Sequence, residues 1–311
     1  MTTASAVPQT RAELEGDDAF ETLRRTGRLR LLLDSLARFR AADGFSHARA
    51  LAFQLILTIL PALIAIVGLA TALDQETFRR VVQDTINALA PGPAGDILTK
   101  ALGQGSSSAR RESGQTALLA GLVAALASGT ASMAQVERSA NRIYGVERDR
   151  RFLRKYLNAL LLALSAGLLG LLSAVLLVGG AAIRSSVGWS HGLDTTWAIL
   201  RWPAGLAFAI ASVSLLFEYA PRRRQPEASW LAFGALVAAA LWLAFMGLLT
   251  IYLKATDQFG ATYGPIAGTI GLLLWSFLTS AALLLGLSFA AQLEAVRAGV
   301  REPRTGRESN D

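Results

Sequence analysis

The chain has 311 residues, and 52% of them are hydrophobic, with a mean hydropathy of +0.40. Soluble domains reach roughly 45–50% apolar content with glycine counted, and this chain exceeds that before its 28 glycines are added. The formal charge is +7, and there is no cysteine, which excludes disulfides and thiolate chemistry.

Residues 1 to about 17 are small and polar and are expected to be disordered. From 18 to 42 the spacing predicts a helix: Phe20, Leu23, Leu31, Leu36 and Phe39 share much of one face, with Arg24, Arg28, Arg38 and Arg40 beside them. Gly27 interrupts it. Such a basic amphipathic helix lies on an anionic leaflet or packs beneath the bundle, and the pattern alone does not choose.

A spanning helix needs roughly 20 mostly apolar residues. Six stretches qualify, at 51–73, 117–133, 156–183, 196–217, 230–253 and 266–293, the second being short. The first is too long for a removed signal peptide and lacks a cleavage site, so it reads as an anchor. Arg49 stands at its entry, and Gln54, Thr58 and Pro61 follow at i, i+4 and i+7 on one face. Polar groups at membrane depth are costly and turn toward a bundle interior or a wet cavity. Pro61 leaves a carbonyl near Leu57 without its amide donor. Arg49, Gln54, Thr58 and Pro61 are therefore candidate pathway-lining residues. The competing reading is a glutamine satisfied by a neighbouring helix.

The first connection is the longest. Phe78, Val81, Val82, Thr85, Ile86 and Leu89 recur at helical spacing, Pro91-Gly92-Pro93 breaks the chain, and 96–102 forms another short helix. The run 103–108, Gly-Gln-Gly-Ser-Ser-Ser, reads as a flexible link. Residues 74–103 thus form a helical cap at one end of the bundle. Small residues recur in the spans at Ala120, Ala124 and Ser128, at Gly167 and Gly170, and at Gly264 and Gly268, a spacing suited to close helix approach within one bundle or between copies.

Lysine and arginine alternate along this frame. Seven precede the first span, seven lie in the second connection, three in the fourth and four in the tail, against five, one and one in the first, third and fifth connections. Basic segments stay cytoplasmic, so both termini are expected inside and the cap outside. Topology and anionic headgroups then account for the charge without nucleic acid.

Catalytic patterns are absent. The two histidines, His47 and His191, fall on opposite expected faces, no metal-ligand cluster or nucleophile–base pair is visible, and no cofactor is expected. Glu218, before Pro221 and three arginines, and Glu294, before Arg297, read as interfacial ion-pair partners; Glu218 is expected to pair with that arginine cluster or with the second connection.

Several patterns carry a resemblance. Asn141-Arg142-Ile143-Tyr144-Gly145-Val146-Glu147 is followed by Arg150, Arg151, Arg154 and Lys155. Tyr263-Gly264-Pro265-Ile266-Ala267-Gly268 precedes Leu272, Leu273, Leu274 and Trp275, then Leu285-Gly286. Ala50-Leu51-Ala52-Phe53 leads to Pro61, and Tyr219-Ala220-Pro221 closes the fourth span. Together, over residues 25–297, they resemble the YihY/BrkB family of bacterial inner-membrane proteins. The resemblance implies an all-α fold of six transmembrane helices and a non-enzymatic envelope role. That role is a transporter or lipid translocase, or else a virulence-associated scaffold; the family's older ribonuclease label is generally regarded as a misassignment. It marks Asn141, Tyr144, Gly145 and Arg151 as a cytoplasmic motif, and Tyr219, Pro221, Tyr263, Gly264, Gly268, Trp275 and Gly286 as packing positions. Where many members carry an acid and an asparagine after the glycine matching Gly286, this chain has Ser288 and Ala290, with Glu294 nearby as a substitute. The expected partners are anionic lipid headgroups and a second copy of the chain.

Overall fold

The computed structural model describes residues 4–9, 16–72, 76–90, 92–109, 114–179, 191–226, 228–255, 266–300 and 302–303. These form ten α-helices: α1 Gly16–Thr26, α2 Arg28–Ala41, α3 Gly44–Ala72, α4 Glu76–Leu89, α5 Pro93–Ala109, α6 Gly114–Ile143, α7 Phe152–Ala174, α8 His191–Tyr219, α9 Ala228–Ala255 and α10 Ile266–Arg297. A π-helical turn, Val175–Gly179, extends α7. No strand forms among the described residues.

Six helices are long and apolar enough to cross a membrane: Gly44–Leu69, Gln115–Ile143, Phe152–Leu177, Thr195–Tyr219, Trp230–Leu253 and Ile266–Arg297. In space they neighbour one another in the order α3, α6, α7, α8, α9, α10 and back to α3. The apolar stretch of α10 is 50% buried, against 17–28% for the other five, so α10 is the column on which the fold is built. Its small residues allow this. A side chain at Gly286 would meet Ala238 Cβ at 2.5 Å and the Gly234 carbonyl at 2.6 Å. Backbone contact replaces side-chain bulk there, which is how helices associate where water supplies no driving force.

Several expectations are corrected. Residues 4–9 are not disordered: Ala4, Ser5 and Val7 are buried and the segment is hydrogen-bonded. The amphipathic helix is two helices, because Gly27 takes φ +84°, a left-handed conformation that ends one helix before the next begins. Of its apolar face, Leu31 and Phe39 are buried, α2 packs on α10, and Phe20 is exposed. α2 therefore lies beneath the bundle, while Leu29, Leu32 and Leu33 remain open on its other side.

The run 103–108 is the last part of α5, not a link. α6 extends ten residues past the expected end of its span, to Ile143, and carries Glu137, Ser139 and Asn141 into buried positions. The small-residue seam between α3 and α6 is also shifted in register. It runs through Gly68 and Gly121, whose added Cβ atoms would lie 2.5 Å from Leu118 N and Ala65 N, and it leaves Ala120 and Ala124 exposed.

Candidate functional site

Among the described residues, the buried charged side chains Arg38, Glu137, Lys155 and Glu294 gather at one end of the bundle, where the N-terminal segment, the α6–α7 loop, the α8–α9 loop and the end of α10 meet. We call it the basic end.

Local backbone chemistry starts it. Past the end of α6 the Val146 amide donates to the Asn141 carbonyl at 2.7 Å, and the Gly145 amide to that of Arg142 at 3.2 Å. Gly145 sits at φ +71°. This is a Schellman ending, which needs a left-handed residue at that place and explains the glycine. Val300 and Gly299 (φ +83°) close α10 in the same way.

Asn141 bridges two loops. Its Nδ2 donates to Asp149 Oδ1 at 2.9 Å, and its Oδ1 accepts the Arg222 amide at 2.7 Å. Asp149 also accepts from Lys155 Nζ at 2.7 Å. Burial pushes the Asp149 carboxyl up, but the hydrogen bonds from Lys155 and Asn141 outweigh it and hold the group below the usual carboxylate range.

Arg150 caps α8. Its guanidinium donates to the carbonyls of Ala220 (2.7 Å), Pro221 (3.0 Å) and Tyr219 (3.2 Å), and Nη1 lies 2.9 Å from Glu137 Oε2. Terminal carbonyls carry partial negative charge, so a cation belongs there. Gln225 serves the Phe217 carbonyl at 3.0 Å.

The deepest part joins α2, α10 and the α8–α9 loop. Arg223 forms a two-pronged pair with Glu294 at 2.7 and 2.9 Å, both side chains almost wholly buried, and lies 4.5 Å over the Tyr144 ring. Arg38 donates to Gln292 Oε1 (2.7 Å), the Ser5 carbonyl (2.8 Å) and the Ile143 carbonyl (3.1 Å). Burial lowers the Arg38 pKa to about 10, opposed by Tyr144 and Glu294 and reinforced by Arg223. The Tyr144 hydroxyl is raised well above its ordinary value, first by burial and then by Glu294.

The structure therefore gathers Asn141, Tyr144, Gly145 and Glu294 into one network and adds Arg38, Glu137, Asp149, Arg150 and Arg223. Arg151 stays outside: it is exposed, and its neighbour Arg150 turns inward. Glu218 is half-buried; the arginine cluster that was to serve it sends Arg223 to Glu294 and Arg222 to the Asp149 carbonyl at 3.0 Å. Pro221 is buried, whereas the Tyr219 ring is exposed and its carbonyl joins the network. Ser288 is buried and bonds the Leu284 carbonyl, and Ala290 packs against α9, so neither contributes charge.

The other candidates lie elsewhere. Thr58 donates to the Gln54 carbonyl at 2.8 Å, which leaves Ser132 to donate to Thr58 across 2.8 Å; Gly129 packs against the same threonine. That face is turned to α6. Pro61 is half-buried within an unbroken helix, and exposed Arg49 bonds Ser46 at 3.0 Å rather than sharing the face. At the opposite end, Trp275 Nε1 donates to the Leu89 carbonyl at 2.7 Å, and Gly268 packs on Ile97 and Pro93 of the cap. Tyr263 and Gly264 lie outside the described residues. Among the described residues no group of three or more histidine, aspartate or glutamate side chains is placed to hold a metal.

A family model described as virulence factor BrkB matches residues 35–310. The putative ribonuclease-like protein YfkH of Bacillus subtilis is 28% identical over 259 residues, covering 82% of this chain and 92% of that protein. A UPF0761 membrane protein of Chromohalobacter salexigens is 28% identical over 276 residues, covering 85% and 63%. Another, from Alkalilimnicola ehrlichii, is 31% identical over 197 residues, covering 61% and 42%. The chain thus spans less than two thirds of the length of these UPF0761 relatives. No solved structure matches it significantly.

Proposed function

The chain belongs to the virulence factor BrkB family, and from that premise we propose that it is a multi-pass protein of the bacterial inner membrane that moves or handles envelope lipids. In this reading the basic end is cytoplasmic. Its Lys/Arg-rich loops satisfy the rule that basic segments stay inside, and anionic headgroups surround it.

One observation carries the choice of cargo. Most hydroxyl and indole groups described within the spans are committed to protein partners: Thr58 with Ser132, Ser212 on the Ala166 carbonyl, Ser173 on the Gly205 carbonyl and Trp242 on Thr279 between helices, and Ser165, Thr250 and Ser280 on carbonyls of their own helices; Ser214 Oγ and two Arg201 nitrogens on α8 are left over. A path for a hydrated ion needs polar groups left over to replace its water. Exposed apolar flanks such as Leu157, Leu161, Leu164 and Leu168 on α7 suit an acyl chain instead. Reconstitution with headgroup-labelled phospholipids tests this. Exchange between leaflets faster than in protein-free vesicles is expected; equal rates for every lipid tried would refute it.

A second reading is a non-transporting envelope scaffold, favoured by the ordered basic end. Arg151 and Arg154 are exposed there and free of structural duty in the network, so they are its natural contacts. If a partner docks on them, Arg151→Ala with Arg154→Ala abolishes co-purification while membrane insertion persists. A ribonuclease role, as one relative's name suggests for that protein, gains no support from the site. Arg223 is engaged by a carboxylate and Arg150 by carbonyls, and among the described residues no three histidine, aspartate or glutamate side chains are grouped to hold a metal that would activate water.

A further inference from the structure

Residues 4–9 lie extended across the deepest part of the basic end. The Ser5 amide donates to the Pro303 carbonyl (3.1 Å), the Ser5 hydroxyl to the Glu302 carbonyl (2.7 Å), and the Val7 amide to the Tyr144 carbonyl (3.1 Å). Gly145 makes room for them: a Cβ there would stand 2.6 Å from Ala6 Cα. Two carbonyls of the segment are taken up by buried arginines. Ser5 accepts from Arg38 Nη1 at 2.8 Å, and Pro8 accepts from Arg223 Nη2 at 2.8 Å.

The charges beneath do not balance. Arg38 is 0% exposed and the Arg223 side chain 2%, and one carboxylate, Glu294, faces the two. Glu294 is spent on Arg223. Arg38 is left with neutral acceptors: Gln292, Ser5 and Ile143. Arg38 Nη2 and Arg223 Nε are buried without an acceptor. A buried cation without a counter-ion is costly, and hydrogen bonds to charged acceptors are about twice as strong as those to neutral ones. Guanidinium forks suit a phosphate's several oxygens. The segment above is lightly held, for its buried apolar side chains are Ala4 and Val7, and water replaces its hydrogen bonds on release.

We propose that Arg38 and Arg223 form a binding site for a phosphate-bearing anion, and that residues 4–9 are a strap whose carbonyls fill the site until the anion displaces them. The donors, the buried excess charge and the segment that covers them are each visible independently of whether the bundle transports lipid. A phosphate at this end comes from a lipid headgroup or from free phosphate.

Because the chain has no cysteine, Val7→Cys supplies a single thiol on the strap. In nanodiscs of phosphatidylcholine alone its maleimide labelling is slow. In nanodiscs of phosphatidylcholine and phosphatidate in equal parts we expect labelling roughly tenfold faster, the population change that about 1.4 kcal/mol of preferential binding produces. Adding Arg38→Gln abolishes the acceleration, and Arg40→Gln, exposed on the same helix, keeps it. Acceleration by phosphatidate alone identifies a headgroup site; acceleration by inorganic phosphate as well identifies a site for the free anion. Fast labelling in every disc, equal rates throughout, or acceleration that survives Arg38→Gln overturns the proposal. Should Arg38→Gln fail to fold, Val7→Gly loosens the strap by removing its largest buried apolar side chain, without adding a charge beside either arginine. It should retain several-fold more phosphatidate through purification than the unaltered chain, read by native mass spectrometry; equal retention overturns the proposal.

Discussion

The two ends of the bundle are held by different physics. At the basic end, charged side chains bridge loops and cap helix carbonyls: Arg150 on α8, Arg38 on α6, Arg223 on Glu294. At the opposite end the cap sits by close packing, with Gly268 and Gly271 against Pro93, Ala94 and Ile97, and with single neutral hydrogen bonds such as Trp275 to Leu89. A buried ionic network stabilises only if nearly every member is paired, so losing one partner is expensive. A packed contact is degraded gradually. The basic end should therefore fail abruptly and the cap by degrees.

The largest expected effect is Glu294→Ala. It strands Arg223 in a buried place, and removing one partner of such a pair costs about 3–5 kcal/mol. Thermal unfolding in detergent, followed by loss of the monodisperse peak, should show the basic end collapsing. Asn141→Ala comes next. It unlinks Asp149 from the Arg222 amide and should cost about 1–3 kcal/mol by the same measurement, the range for stranding buried polar partners.

Asp149→Asn should cost about 1–2 kcal/mol at neutral pH, a charged hydrogen bond discounted for partial exposure. The Asp149 pKa is lowered in the folded protein. Its contribution is therefore fully present above the ordinary carboxylate value and is lost as pH falls through the lowered one. The stability gap between the variant and the unaltered chain should close on acidification; a gap that widens would contradict the assignment. At the other end, Trp275→Phe removes one neutral bond and should cost about 0.5–1.5 kcal/mol. Smallest is Thr58→Val, about 0.6 kcal/mol for a hydrogen bond between membrane helices. If Thr58 lines a pathway, this variant also alters lipid exchange; as a packing residue it leaves exchange unchanged.

Much of the frame is legible in residue order, and the exceptions share a cause. Gly27 and Gly145 are visible because breaks in apolar periodicity and a tyrosine–glycine pair mark places where helices end. Arg38 and Glu137 are not. Each stands beside other charges in a polar stretch, and a charge in such company reads as solvated. Arg150 and Arg151 are adjacent and chemically alike, so nothing local tells which enters the network. The register of the α3–α6 seam is hidden for a similar reason: Ala120 and Gly121 are both small, and which of them meets Ala65 depends on how far α6 is rotated.

The sequence by itself determined six helices long and apolar enough to cross a membrane, a helical cap, and the concentration of basic residues in alternate connections, because apolar length and charge are local properties. Only the tertiary structure decided that α10 is the central column, that the small-residue seam runs through Gly121, and that the N-terminal strap covers two buried arginines. Those outcomes depend on which carbonyls and carboxylates are brought within about 3 Å of a donor. Residues as far apart in the chain as Ser5, Arg38, Tyr144, Arg223 and Glu294 meet only once all the helices have packed.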